Sequence, residues 1–249
     1  MAALQEFLRI DETTSWFLFW YVLGLIALFA LSAVLSKPKK ERQEPQKSSQ
    51  EPRKRPAIVE FGINLGMRFV HLVANSGVTP NQITVIGMVL VAFNCLVFAY
   101  TKNTFAFGCG LIAALLFDTL DGLVARTQGT SSLFGGYLDA VIDRYEEVLI
   151  YFTIGAVLDR WPEAFLVVTG SMLISYNKAR VAIEMPIQNK GWSDLMQKPT
   201  RLFILCFALI GNPIVPWFLD ALLWFLVVAT YFTVIQRMMR ARFMMENHQ

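Results

Sequence analysis

The sequence contains few charged residues for its length. Of its 249 residues, 55% are apolar and 16% are charged, whereas a soluble domain carries about a quarter charged residues. So few charges cannot cover the surface of a water-soluble protein of this size, which favours an integral membrane protein. The formal net charge is only +3, and together with the apolar content this excludes an intrinsically disordered chain.

Cysteine and histidine are also scarce. The three cysteines (Cys95, Cys109 and Cys206) lie inside apolar runs, and no two of them have CxxC spacing. The sequence therefore indicates neither a zinc site nor a disulfide framework, and the cysteines are expected to pack as small apolar residues. The two histidines, His71 and His248, are far apart in the sequence and indicate no histidine site.

The first long apolar run covers residues 16–35 and carries no charge. A run of this length can cross a bilayer as a helix. A cleaved signal peptide is the alternative, but its start should be basic, and three acidic residues precede this run. We therefore predict an N-terminal segment, residues 1–36, with one uncleaved transmembrane helix.

Residues 37–55 form a polar tract with eight Lys or Arg residues and three Glu residues. Such a composition cannot bury a core, so we predict a disordered linker. Its basic charge follows the rule that the cytoplasmic flanks of membrane helices carry Lys and Arg. Attraction to anionic lipid is a second interpretation.

Residues 56–242 have the pattern of an all-α membrane domain, followed by a tail at 243–249. A narrow polar stripe within residues 57–74 predicts an amphipathic helix at the membrane surface. Thr79, Pro80 and Gln82 supply an N-cap, a first-turn proline and a capping box for the next helix. Six apolar core helices are predicted at residues 80–100, 105–126, 135–158, 162–184, 202–211 and 215–236.

Four aspartates are the main polar feature of this domain. Asp118 and Asp121 are three residues apart on the second core helix, and Asp139 and Asp143 are four apart on the third. Each pair shares one face of its helix. Because a short polar loop joins the two helices, we expect the four carboxylates to converge near a membrane interface.

Four ionised carboxylates in one place repel each other and are costly to desolvate. Divalent cations would neutralise them, and oxygen ligands without His or Cys favour Mg²⁺ or Mn²⁺. A proton or cation pathway is the alternative, but it does not explain the small residues and Arg126 among the acids. Glu146 and Glu147 are expected to pair with Arg144 or nearby bases.

The residues around the acids resemble the signature of a known family, the CDP-alcohol phosphotransferases. The pattern D-x2-D-G-x2-A-R-x8-G-x3-D-x3-D is matched at all its fixed positions: Asp118, Asp121, Gly122, Ala125, Arg126, Gly135, Asp139 and Asp143. The resemblance covers roughly residues 56–242. It implies six transmembrane helices, a homodimer and a multi-pass protein of the prokaryotic plasma membrane. Membrane lipid is an expected partner and nucleic acid is not.

The resemblance also implies roles for individual residues. Two divalent metals (Mg²⁺ or Mn²⁺) would be bridged by Asp118 and Asp139. Asp121 would complete the coordination of one metal and Asp143 that of the other. Asp143 would also act as the general base on the acceptor hydroxyl. The CDP-linked donor would contact Asn81, Gln82, Ile83, Thr84, Gly122, Ala125, Arg126, Ser132 and Gly135.

The stretch from Ser175 to Arg180 is similar to one in prokaryotic phosphatidylinositol-phosphate synthases, and Arg201 matches an arginine there. This implies CDP-diacylglycerol as donor and a small phosphorylated alcohol, of the inositol phosphate or glycerol phosphate type, as acceptor. Lys178, Arg180 and Arg201 are the candidate acceptor contacts. Interfacial charge that follows the topology rule is an alternative reading of Lys178 and Arg180.

Basic residues lie mainly at one end of the predicted helices. With the linker inside, the segments after the second, fourth and sixth core helices also lie inside, and these hold most of the remaining Lys and Arg residues. This bias predicts that the linker, the active site and the C-terminus are cytoplasmic and that the N-terminus is external.

Two other functions remain open from the sequence. A related transferase would use a CDP-linked head group and a lipid alcohol. A cation-coupled transporter would use the carboxylates for ion passage, but the outer halves of the helices hold almost no ionisable residues, which counts against a polar path.

Overall fold

The computed structural model describes residues 70–184, 195–215 and 217–246, and the regular secondary structure in these residues is entirely helical. Six helices follow a short helical stretch at 70–75: α1 (Pro80–Thr101), α2 (Thr104–Thr127), α3 (Leu133–Leu158), α4 (Trp161–Glu184), α5 (Lys198–Gly211) and α6 (Phe218–Glu246). The all-α prediction is confirmed. The predicted N-terminal helix, the linker and most of the amphipathic helix lie outside the described residues.

Three predicted helix ends, the start of α5 and both ends of α6, are wrong by three residues or more. The helix α5 begins at Lys198 rather than at residue 202, because Pro199 lies in the first turn, where proline is tolerated. The helix α6 begins at Phe218 and continues to Glu246, beyond the predicted end at residue 236 and into the predicted tail.

Among the described residues, three helices are long and apolar enough to cross a membrane: α1, α2 and α6. Charged residues of the first half of α3 and the second half of α4 reduce the apolar character of those two helices. The apolar helices fit the predicted membrane protein.

The described chain divides into two compact units. The first, here called the motif unit, contains described residues 70–90 and 114–143 and therefore all four aspartates. Its core consists of the buried residues Val70, Val73, Val78, Ile83 and Val124, with Phe117, Leu120 and Leu123 packed against them.

Two turns in the motif unit set the ends of its helices. The backbone N–H of Thr79 donates to Gln82 Oε1 at 2.9 Å, which is one half of the predicted capping box. At the end of α2, Gly129 has a φ of 61°, and Thr130 N–H donates to the carbonyl of Ala125 at 3.0 Å. This Schellman turn reverses the chain toward α3.

The second unit, here called the bundle unit, contains the described residues of 91–113 and 144–246. Within it, α4 and α5 both pack against α6. Small residues permit close approach: a Cβ on Gly170 would lie 2.8 Å from Thr230 Oγ1. Asn94 Nδ2 donates to the carbonyl of Phe107 at 3.1 Å and so joins the neighbouring segments of α1 and α2.

Candidate active site

The four aspartates occupy successive turns of the two helices in the motif unit, two on α2 and two on α3. A carboxylate oxygen of Asp118 and one of Asp143 lie within 4.8 Å of each other. Asp121 is buried, and its Oδ2 accepts a hydrogen bond of 2.5 Å from the Thr84 hydroxyl. Carboxylate oxygens at this spacing suit a hard divalent cation such as Mg²⁺ or Mn²⁺.

A cavity of about 270 Å³ lies beside these acids within the motif unit. The start of α1, the end of α2, the α2–α3 loop and the start of α3 all contribute to its wall. Its lining residues are Pro80, Asn81, Thr84, Asp121, Gly122, Ala125, Arg126, Thr130, Ser131, Ser132, Gly135, Gly136 and Asp139.

Seven of the nine predicted donor contacts line this cavity. The other two, Gln82 and Ile83, lie elsewhere: Gln82 caps α1 and Ile83 is a core residue with 3% of its surface exposed. Helix geometry explains the difference, because residues three apart share a face and only Asn81 and Thr84 can point the same way. Sequence reasoning missed Pro80, Thr130, Ser131 and Gly136.

The cavity wall combines small residues with exposed donors. Ser132 Oγ accepts from the Gly135 N–H at 3.0 Å and caps α3. A Cβ at Gly135 would lie 3.1 Å from both Asn81 Oδ1 and Ser132 Oγ, whereas a Cβ at Gly122 would approach nothing nearer than Arg126 at 3.9 Å. The surface at Gly122 is therefore open to a ligand, and the neighbouring Arg126 guanidinium can grip a phosphate.

The bundle unit contains a second polar cluster, built on the continuation of α3. Lys198 Nζ donates to Glu146 Oε2 at 2.9 Å, and both side chains are buried. Arg201 donates to Glu147 Oε1 from Nε at 3.0 Å, and the Ser171 hydroxyl donates to Glu147 Oε2 at 2.5 Å. The prediction that these two glutamates pair with bases is confirmed, although the main partners come from α5.

The three predicted acceptor contacts have different surroundings. Arg201 is 1% exposed, and its guanidinium also bonds to the Met196 carbonyl. Lys178 and Arg180 are exposed on α4, where Arg180 pairs with Glu184. The structure does not group these three side chains.

Two other arginines reach the same part of α4 and were not among the predicted acceptor contacts. Arg144 donates to the Ser175 hydroxyl, and the buried Arg237 donates to the Ile174 carbonyl. The position of Arg144 immediately after the last signature aspartate was the available signal. Nothing comparable distinguishes Arg237 from the other basic residues near the C-terminus.

A profile of the CDP-alcohol phosphatidyltransferase family matches residues 77–240. The chain belongs to this family. The matched range contains the whole signature and the helices from α1 to α5. This match confirms the resemblance to the family that the eight signature residues indicated.

Individual relatives of this CDP-alcohol phosphatidyltransferase are synthases of inositol lipids. An archaetidylinositol phosphate synthase of Pyrococcus horikoshii is 31% identical over 170 residues, which cover 68% of this chain and 86% of that protein. A phosphatidylinositol phosphate synthase of Corynebacterium glutamicum is 33% identical over 183 residues, which cover 66% and 78%.

The solved structures agree with these relatives. The crystal structure of phosphatidylinositol phosphate synthase from Mycobacterium tuberculosis with CDP-DAG bound has a TM-score of 0.63 and 25% identity, covering 72% of this chain and 94% of that one. The same synthase in complex with manganese and citrate gives a TM-score of 0.63 and 25% identity, with coverage of 70% and 87%.

Proposed function

We propose that this protein transfers a phosphatidyl group from CDP-diacylglycerol to a small phosphorylated alcohol and releases CMP. The acceptor is of the inositol phosphate or glycerol phosphate type. The observation that carries the proposal is the gathering of the signature residues around one cavity in the motif unit, where Asp121, Gly122, Arg126 and Asp139 line the wall. Relatives that are phosphatidylinositol phosphate synthases support the choice of acceptor.

Different cavity residues bind different parts of the CDP-linked donor. Arg126 and the hydroxyl-rich loop at Thr130 to Ser132 bind the anionic diphosphate through charge and hydrogen bonds. Gly122 leaves room for the nucleotide to approach the backbone. Asn81 faces the same cavity from α1 and supplies an amide that can both donate and accept.

The four aspartates would hold two divalent cations, Mg²⁺ or Mn²⁺. In the family arrangement, Asp118 and Asp139 would be shared by both cations, and Asp121 and Asp143 would each bind one of them. When bound, the cations offset the charge of the diphosphate and of the departing CMP. Asp143 takes the proton from the acceptor hydroxyl as that oxygen attacks the phosphorus.

A phosphorylated acceptor requires cationic groups, and the bundle unit supplies them. Arg144 follows Asp143 directly in α3, and Arg237 is buried in the bundle unit. Lys198 and Arg201 are buried there too, but the carboxylates of Glu146 and Glu147 already offset their charges. A buried base attracts an anion more strongly than a solvated one, because water screens it less. Arg144 and Arg237 are added here to the acceptor candidates Lys178, Arg180 and Arg201.

The remaining membrane arrangement follows the family resemblance. We propose that all six described helices form the transmembrane core and that the protein is a homodimer. In support, residues 148–158 of α3 and 164–177 of α4 contain no charged side chain. The opposite halves of these helices carry the acids and bases, as expected for the cytoplasmic side of the prokaryotic plasma membrane.

The decisive experiment follows CMP release by purified protein with CDP-diacylglycerol, Mg²⁺ and a panel of acceptors. The panel contains inositol phosphate, glycerol phosphate, and both alcohols without phosphate. We expect release only with a phosphorylated acceptor. Release with CDP-linked head groups and diacylglycerol, but not with CDP-diacylglycerol, would overturn the proposal in favour of the related transferase.

A further inference from the structure

The side chain of Gln128 connects two segments of the motif unit that are far apart in the sequence. Its Nε2 donates to the carbonyl of Ala74 at 2.9 Å and to the carbonyl of Val78 at 3.0 Å. Ala74 lies near the end of the helical stretch at 70–75, and Val78 lies in the turn between that stretch and α1. One amide group therefore fastens the end of α2 to the turn that leads into α1.

The two fastened segments continue directly into opposite parts of the cavity wall. From Val78 the chain enters the start of α1, which contributes Asn81 and Thr84. From Gln128 it passes through the αL residue Gly129 into the loop at 130–132, which contributes its three hydroxyl residues.

The other end of the same amide reaches that loop. Thr130 Oγ1 donates to Gln128 Oε1 at 3.3 Å, and Thr130 lines the cavity. Both ends of the Gln128 side chain are thus used, with the nitrogen on the turn before α1 and the oxygen on the loop before α3. Gln128 itself does not line the cavity and stands at a variable position of the signature.

We propose that Gln128 is a positioning residue for the CDP-linked donor. It fixes the spacing between the α1 wall and the 130–132 loop, so that their polar groups reach the nucleotide diphosphate together. This role rests on the proposed function of the cavity. Contacts that are already in place before binding raise the affinity, because no binding free energy is then lost in ordering the loop.

The chemistry of the amide makes the role testable. Gln128→Leu shortens the side chain by one atom position and removes both donors and the acceptor. Gln128→Glu keeps the shape and replaces the donating nitrogen by an oxygen that repels the two carbonyls. Gln128→Arg retains N–H groups that can donate to the carbonyls, and it is the rescuing variant.

We expect Gln128→Leu and Gln128→Glu to raise the KM for CDP-diacylglycerol about tenfold, as the loss of two hydrogen bonds predicts. The kcat at saturating donor should stay within about twofold, because the catalytic aspartate is not displaced. Gln128→Arg should restore most of the KM. The affinity for Mn²⁺, measured by electron paramagnetic resonance without substrate, should not change in any of the three variants.

Thr127→Ala is the matched control, since the Thr127 hydroxyl donates to the Leu123 carbonyl of its own helix and its loss should leave the KM unchanged. An unchanged KM in Gln128→Leu, with an active wild type, overturns the positioning role alone. Equal losses of kcat and Mn²⁺ affinity also overturn it, because they show general damage to the unit. A wild type that neither binds nor consumes CDP-diacylglycerol overturns the proposed function and the role of Gln128 together.

Discussion

Asp118 and Asp143 lie close together, yet they have different tasks in the proposed reaction. In that proposal, Asp143 would be the general base and Asp118 would bind both cations. We predict that Asp143→Asn lowers CMP release by about 10²- to 10⁴-fold, the usual effect of losing a general base, while much of the affinity for CDP-diacylglycerol remains. Three aspartates and Arg126 can still hold the donor.

Asp118→Asn should behave differently, because it removes a ligand shared by both cations. Donor affinity and turnover should fall together. Both variants are compared by donor binding and by CMP release, with gel filtration as the check on folding. Near-normal turnover of Asp143→Asn would show that this carboxylate is not the base.

Thr84 contributes to the site through the orientation of Asp121. Its hydroxyl also lies 3.1 Å from the Pro80 carbonyl, but its single proton is donated to the nearer carboxylate of Asp121 at 2.5 Å. Groups that orient a metal ligand commonly influence affinity by 10-fold or more. We predict that Thr84→Val lowers Mn²⁺ affinity about tenfold, measured by electron paramagnetic resonance.

Thr84→Ser is the control for this prediction, because serine keeps the hydroxyl and loses only a methyl group. Its Mn²⁺ affinity should stay close to that of the wild type. If the valine and serine variants bind Mn²⁺ equally, the hydrogen bond to Asp121 does not support the metal site.

Helices were more predictable from the sequence than their contacts. The apolar runs located all six described helices, and six of the eight signature residues line the cavity, because both are local patterns. The pairing of Glu147 with Arg201, 54 residues away, could not be read from local spacing. The start of α5 was misplaced because Pro199 resembles a loop residue until its place in the first turn is known.

The pair formed by Glu147 and Arg201 joins α3 to α5 in the interior of the bundle unit. Its side chains are 0% and 2% exposed, so removal of one partner leaves a buried charge. We predict that Glu147→Gln lowers the free energy of unfolding by about 3–5 kcal/mol, measured by denaturant titration in detergent. The double variant Glu147→Gln with Arg201→Met should lose less than the sum of the single variants.

The pair between Arg160 and Asp220 provides the matched comparison, since both side chains are 40% exposed. Despite good geometry, with distances of 2.6 and 2.8 Å, solvent screens such a pair. Asp220→Asn should cost less than about 1 kcal/mol. Equal losses at the two pairs would show that burial does not decide the stability of the α3–α5 junction.

At the scale of the whole molecule, charged and aromatic residues are unevenly distributed along the helices. Exposed aromatic residues lie at the turns that join α1 to α2, α3 to α4 and α5 to α6, namely Tyr100, Trp161 and Trp217. Aromatic residues of this kind prefer the membrane interface. Along the sequence, the four aspartates, Arg126 and the cavity residues stand away from these three turns.

This distribution predicts which ends of the helices face the cytoplasm. Bases at the ends of α2, α4 and α6 favour the inside, and the turn at Lys102 should then be outside. Single cysteines are introduced at Lys47, Lys102 and Asn247 in a background with the three native cysteines changed to alanine. In intact cells, a membrane-impermeant thiol reagent should label only the Lys102→Cys variant, and all three should react after permeabilisation.

External labelling at Lys47 or Asn247 alone would mean an odd number of crossings between these two positions. The six-helix core would then be wrong, even with the catalytic site intact.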